Sequence, residues 1–342
     1  VIGYYAHHFG QGHVETARCI AARLTDEVTV LSSLPRPPGW PGGWLTLPRD
    51  DGEAGEAEPT ANGQLHWAPL GHRGLRDRMA VIAQWIQHVA PSVFVVDVSA
   101  EVTALVRLMG TPVVTIVLPG RRRDPAHRLC YTLAETILAP WPASVSGILL
   151  DGDSSWSDKI RHVGAFSRFD DRVPQPVTGS RKHSVLVLLG SGGSGITRQD
   201  LHQAAAATPG WRWTTLGGTT GRWAEDPWTA LCRADVVVTH AGLNSLAAVA
   251  AARKPAVVVP QARPHDEQLM TARALARSGL AIVARPWPQA ARWSGLLSAA
   301  AELGGDRWAG WSPGTGAQAA AEVIQSVAVR TTGPGIRCAA PS

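Results

Sequence analysis

Cysteine is scarce and scattered. Cys19, Cys130, Cys232 and Cys338 are the only four in 342 residues, and none forms a CxxC pair. A disulfide framework is therefore not expected, and free thiols in a reducing cytoplasm are. No apolar run reaches 18 residues, so no transmembrane helix is expected. The first residues read as a strand rather than a charged region followed by an apolar one, so no signal peptide is expected either. No basic run is interleaved with stacking aromatics, which argues against nucleic acid as a partner. Charged residues are only 17% of the chain. With 45% hydrophobic residues, 35 Gly and 25 Pro, the composition is that of a globular enzyme with many turns.

The length favours two α/β domains. The net charge of +5 is modest; a basic cleft for phosphates explains it, and so does an anionic membrane surface. The densest cluster is Arg121-Arg122-Arg123, read either as solvated surface or as an acceptor contact. Fourteen Trp is unusual, and several (Trp40, Trp44, Trp141, Trp287) flank Pro or Gly as loop plugs would. The Ala/Arg/Gly/Trp bias points to a GC-rich bacterial genome.

Two strand–turn–helix units stand in series. Residues 1–6 read as a strand, followed by a Gly-rich turn, a helix over 14–24 and a strand over 28–31. Residues 35–64, rich in Pro, Gly and acid around Asp50-Asp51-Gly52-Glu53, read as a long loop. Helices are predicted over 76–89, 101–109 and 126–138, and strands over 93–96, 113–117 and 148–150. Residues 169–182 read as a linker. The pattern restarts with a strand over 184–189 and Gly190-Ser191-Gly192-Gly193-Ser194-Gly195. Helices over 197–207, 244–252, 267–278 and 315–328 then alternate with strands over 211–216, 234–239, 256–259 and 281–283. The fold class is α/β, two doubly wound Rossmann-like domains facing a central cleft. The expected division is an N-terminal domain over 1–168, a linker over 169–182, a C-terminal domain over 183–330 and a tail over 331–342.

Neither Gly turn matches a common nucleotide signature. GxGxxG is absent from the first, and the second lacks the Lys-Ser/Thr ending of a P-loop. Each still offers backbone N–H groups at a positive helix end. His13 opens the first helix, where it could take a proton or merely cap the turn. Asp97 closes a buried strand, where it could orient a histidine or simply form a turn. Neither has metal-ligand spacing, so no metal is expected. In His240-Ala241-Gly242-Leu243-Asn244-Ser245, Asn244 and Ser245 look like N-cap residues whose helix end suits a diphosphate. Asp266-Glu267-Gln268, heading another helix, could grip sugar hydroxyls or cap that helix.

These segments resemble the nucleotide-sugar glycosyltransferases of the GT-B fold, both the bacterial peptidoglycan N-acetylglucosaminyltransferase family and the wider UDP-glycosyltransferase superfamily. Phe9-Gly10-Gln11-Gly12-His13-Val14 is similar to a Gly-Gly-His-Val loop, and His240–Ser245 to a His-Cys-Gly-Trp-Asn-Ser element. Lys254-Pro255 through Pro260 matches the Gly-x-Pro…Pro stretch after it, and Glu267-Gln268 falls where Asp-Gln or His-Gln is usual. The resemblance implies that His13 is the general base or positions the acceptor, with Asp97 as its partner. It implies that Gly12, Ser191, Gly192, His240, Gly242, Asn244 and Ser245 surround the diphosphate. Glu267 and Gln268 would contact the donor sugar, and Trp223 would lie near the nucleobase. Transfer would be an inverting displacement without a metal or cofactor, from a UDP- or dTDP-sugar. The acceptor is open: a small molecule, a natural-product aglycone or a lipid-linked sugar, with peripheral membrane contact allowed by the charge. The ribose-binding Glu usual in the family is Ala248 here. A nucleotide-sugar hydrolase or epimerase, or a non-catalytic binding protein, are the alternatives. His183 and His265 have no counterpart in the family pattern.

Overall fold

The computed structural model describes residues 1–51, 58–151, 155–174, 183–190 and 192–332. The N-terminal part runs β1 (Ile2–Ala6), α1 (Gly12–Ala21), β2 (Val28–Ser32), β3 (Gly43–Thr46), α2 (Arg73–Val89) and β4 (Val93–Asp97). It continues with α3 (Ala100–Leu108), β5 (Val113–Ile116), α4 (Pro125–Leu133), β6 (Thr136–Ala139), α5 (Ser146–Leu149) and β7 (Ile160–His162). Its seven strands form one parallel sheet in the order β3-β2-β1-β4-β5-β6-β7.

The C-terminal part runs β8 (His183–Leu189), α6 (Arg198–Ala206), β9 (Trp211–Gly217), α7 (Trp228–Arg233), β10 (Val236–Thr239) and α8 (Leu243–Ala251). Then come β11 (Ala256–Val258), α9 (Glu267–Arg277), β12 (Ile282–Val283), α10 (Trp293–Leu303) and α11 (Gly316–Thr332). The second sheet, also parallel, has the order β12-β11-β10-β8-β9. Strand order reverses beside β1 in one sheet and beside β8 in the other. Crevices open at such reversals, at the carboxyl ends of the strands. Both Gly turns and Asp97 lie at these ends.

The strands are near-continuous Val, Ile and Leu because helices cover both faces of each sheet. Trp141, Trp293, Trp308 and Trp311 are fully buried, and Trp40 nearly so. A buried Trp removes roughly 150–250 Å² from water, so these rings are core rather than a surface box. The last helix returns to the first sheet: Ala317, Ala320 and Ile324 of α11 pack with Ile2, Tyr4 and Val14. Among the described residues no helix is long and apolar enough to cross a membrane.

Several expectations need correction. The helix predicted over 126–138 stops at Leu133, and Thr136–Ala139 is a strand; a short apolar run has no period of its own and fits either structure. The strand predicted over 148–150 is helical, and Ile160–His162 takes the edge position instead. The long loop over 35–64 contains β3, whose Trp44 meets Trp40 edge to face. Helices α7 and α10 were not anticipated, although Trp293, Leu297 and Ala300 recur at helical spacing on α10. Residues 175–182 of the expected linker and 333–342 of the tail lie outside the described residues.

Candidate active site in the cleft

The N-terminal wall is built on titratable side chains. After β1 the chain turns through residues 7–11, with Gly10 at φ 83°, a conformation that favours glycine. α1 then starts at Gly12 and presents His13 in its first turn. Register pairs Ala6 with Asp97, which brings the end of β4 beside this turn. His13 Nδ1 lies 3.0 Å from Asp97 Oδ1. The other carboxylate oxygen of Asp97 accepts from the buried Tyr4 hydroxyl at 3.4 Å. With Nδ1 protonated toward Asp97, Nε2 is the basic nitrogen. Burial opposes a charge on His13, but the Asp97 carboxylate beside it, aided by Glu267, outweighs burial and raises its pKa. Val98, just after Asp97, sits at φ 56°. A β-branched residue there costs on the order of 1–3 kcal/mol, strain stored beside the carboxylate.

Neighbouring groups are kept neutral or paired. His7 is pushed down to about 3, by burial first and then by His13, and its ring lies 6.0 Å from that of His13. Arg78 is 1% exposed beneath the turn. It donates to Tyr5 Oη (2.7 Å), the Pro48 carbonyl (2.9 Å) and Ser33 Oγ (2.5 Å), and pairs with Asp50 at 3.0 Å. A buried guanidinium with this many partners anchors the loops behind His7 and His8.

The C-terminal wall relies on backbone. Arg263 donates to the carbonyls of Gly192 (2.6 Å) and Gly193 (2.9 Å), fixing the turn after β8; Ser191 lies outside the described residues. His240 is buried with both nitrogens engaged, Nδ1 with the Val259 carbonyl (2.8 Å) and Nε2 with Ser194 Oγ (3.0 Å). Burial lowers its pKa, so it is a neutral brace between turns. Gln268 Oε1 accepts from Ala241 N (3.3 Å) and Gln261 N (2.9 Å). These two side chains hold the Gly242 turn at the head of α8. The N-cap of α8 is Gly242, not Asn244 or Ser245, and it makes no side-chain cap. First-turn N–H groups without a cap, at the positive end of a helix, suit an anion. Ser245 lies in that first turn. Asn244 does something else: its Nδ2 donates to the Gly12 carbonyl across the cleft at 3.0 Å. A Cβ on Gly12 would lie 2.7 Å from that nitrogen and would push the Asn244 amide aside.

The walls also meet at Glu267, the first residue of α9, whose carboxylate is 3.6 Å from Arg122. Burial raises the Glu267 pKa, against Arg122, His13 and Arg263. Asp266 makes no side-chain cap, which removes the capping reading for it. The arginine triplet divides: Arg122 is 8% exposed, while Arg121 and Arg123 face solvent. Arg122 was not singled out within its triplet by the sequence; a charge run does not announce which member turns inward. Arg122 also borders a small apolar cavity of about 20 Å³, lined by Val117, Tyr131, Ile137, Leu150 and Trp156. Trp223 is 61% exposed on the loop between β9 and α7. Ala248 is buried on α8.

Residues 227–286 match the family model of the glycosyltransferase family 28 C-terminal domain. No curated protein sequence matches the chain. Among solved structures, the glycotransferase of kitacinnamycin superposes with a TM-score of 0.65 at 17% identity, over 95% of this chain and 98% of that one. MurG of Acinetobacter baumannii gives 0.65 at 15% identity, over 95% and 99%. UGT2 of Phytolacca americana, complexed with UDP-2fluoro-glucose and pterostilbene, gives 0.64 at 14% identity, over 97% and 99%. The architecture is thus the GT-B fold, and the matched family and the similar structures are those of glycosyltransferase enzymes.

Proposed function

We propose that the chain is a glycosyltransferase that moves a sugar from a nucleoside diphosphate sugar on the C-terminal wall to an acceptor on the N-terminal wall. One observation carries this reading. The His13–Asp97 pair, at 3.0 Å, is held against the head of α8 by the Asn244–Gly12 hydrogen bond. A base and an anion-binding helix end therefore face one space.

His13 Nε2 takes the proton of the acceptor nucleophile, and Asp97 stabilises the imidazolium that results. The nucleophile forms its bond to the anomeric carbon as the bond from that carbon to the diphosphate oxygen breaks, with inversion. The leaving charge develops against the first-turn N–H groups of α8, with Arg263 nearby, so helix ends rather than a metal meet it. Glu267 faces the donor sugar, with the Gln268 Nε2 group beside it while the Gln268 oxygen holds the turn. Ala248, where a ribose-binding Glu is usual, favours dTDP over UDP, because a deoxyribose has no 2′-hydroxyl to satisfy.

Thermal unfolding with UDP, dTDP, GDP and ADP tests this, since a ligand of the folded state raises the melting temperature. A shift with dTDP, and a smaller one with UDP, is expected. No shift with any of the four sinks the donor site.

A further inference from the structure

One side-chain cluster apart from the His13–Asp97 pair draws on both halves of the chain. His66 comes from the loop before α2, Asp124 and His127 from the head of α4, and His265 from the turn before α9. Three imidazoles converge on one carboxylate. His127 Nδ1 lies 2.5 Å from Asp124 Oδ2, His66 Nε2 3.0 Å from Oδ1, and His265 Nδ1 3.9 Å from Oδ2. One ligand atom from each of the four lies within 4.8 Å of all the others. In a tetrahedral centre with bonds of about 2.0–2.1 Å the donor atoms stand about 3.4 Å apart. The widest pair would need to close by about 1.4 Å, within the reach of side-chain rotation.

The placement is built. Asp124 caps α4, accepting from the His127 backbone N–H at 3.1 Å. The backbone N–H groups of His66 and Trp67 both donate to Glu101, at 2.8 and 3.0 Å, which fixes that loop. His265 and Asp266 are consecutive non-glycine residues at φ 59° and 57°, a strain on the order of 1–3 kcal/mol each. The His265 carbonyl accepts from Arg121 N at 2.8 Å, and a Cβ on Gly120 would lie 2.4 Å from that oxygen. The N-terminal domain thus clasps His265 by its backbone and holds its ring against the other two.

We infer that His66, Asp124, His127 and His265 form an interdomain site for a divalent transition-metal ion of the zinc type, which pins the two halves of the cleft together. Three imidazoles and one carboxylate suit zinc, cobalt or nickel rather than magnesium or calcium. The ion serves as a clasp and takes no part in the sugar transfer proposed above. It has one consequence for that site. His127 Nε2 lies 2.9 Å from Arg122 Nη1, where it must accept. Once Nδ1 binds the metal, Nε2 carries the proton and two donors would face each other. Arg122 then leaves His127, and its remaining charged partner is Glu267.

The test needs no substrate. Tag-free full-length protein is stripped with a chelator and titrated with Co²⁺ and then Zn²⁺. One ion per chain is expected, with the visible bands of tetrahedral cobalt and a higher melting temperature under Zn²⁺. Separate His66→Gln and His265→Gln variants should each weaken binding at least tenfold and lose the thermal shift. Binding that neither variant weakens would place the metal elsewhere, and no binding by the wild type would leave the cluster as a hydrogen-bonded network only; either result overturns the inference. Neither result bears on the response to nucleotides.

Discussion

After β1 the chain turns through two histidines and a phenylalanine into His13; after β8 it turns through glycines and serines, with no titratable side chain until Arg198. Both turns sit at the same place in the same kind of unit, a parallel strand feeding a helix beside a reversal of strand order. The N-terminal wall fills that place with buried, paired ionisable groups. The C-terminal wall leaves it to backbone N–H groups, with His240 and Gln268 spent on holding the turn. One wall is therefore suited to moving a proton and the other to holding an anion. A wall of charges depends on each partner, whereas a wall of backbone depends on small residues staying small.

The comparison breaks most visibly at Arg78. Arg78→Met leaves Asp50 and the Pro48 carbonyl without their buried donor, and should cost about 3 kcal/mol in urea unfolding. Ser245→Ala on the opposite wall should cost less than about 1 kcal/mol. Equal losses would erase the distinction.

Asp97→Asn comes next, with kcat lower by about 100-fold. Its pH dependence fixes the cause. In the proposed reaction neutral His13 is the base, so wild-type activity should fall as pH drops through its raised pKa. Without Asp97, burial pulls that pKa down, and the acid limb of the profile moves to lower pH. A group whose folded pKa is raised adds stability that is complete below its unfolded value, about 6.5, and is lost as pH rises through the folded value. The variant should therefore lose more stability at about pH 5.5 than at about pH 8.5. An unmoved acid limb would detach His13 from Asp97.

Under the proposed function, Ala248→Glu places a carboxylate where the donor ribose would lie. It should raise affinity for UDP relative to dTDP by about tenfold, the worth of a hydrogen bond to a charged group, as titration calorimetry would record. Unchanged discrimination would remove Ala248 from nucleotide choice. The smallest effect is expected from Asn244→Ala, which loses the bond to Gly12 and should weaken nucleotide binding by about fivefold. A larger loss in kcat than in affinity would move Asn244 from binding to catalysis.

Much of this was legible in the sequence. Val, Ile and Leu runs ending in Gly turns gave the two doubly wound units, because strands buried on both faces carry no alternation to confuse them. His13 at the head of the first helix and Asp97 at a strand end were both readable at the cleft edge, although 84 positions apart, since parallel strands deliver their carboxyl ends to one edge. What stayed hidden depends on register and burial. Thr136–Ala139 was too short to declare a strand, and a loop with many prolines concealed β3. Asn244 read as a helix cap because nothing local reveals a partner at Gly12. Asp124 and His127 stand three apart on one helix, but only the fold brings His66 beside them and only the meeting of the two halves adds His265.

The division of labour between the walls is tested most directly by His13→Ala, followed by calorimetric titration with the nucleoside diphosphate that stabilises the wild type and by a turnover assay with the matching nucleotide sugar. Affinity should stay within about twofold of wild type while turnover falls by at least about 100-fold. Loss of affinity in step with turnover, or turnover that survives, would contradict that division.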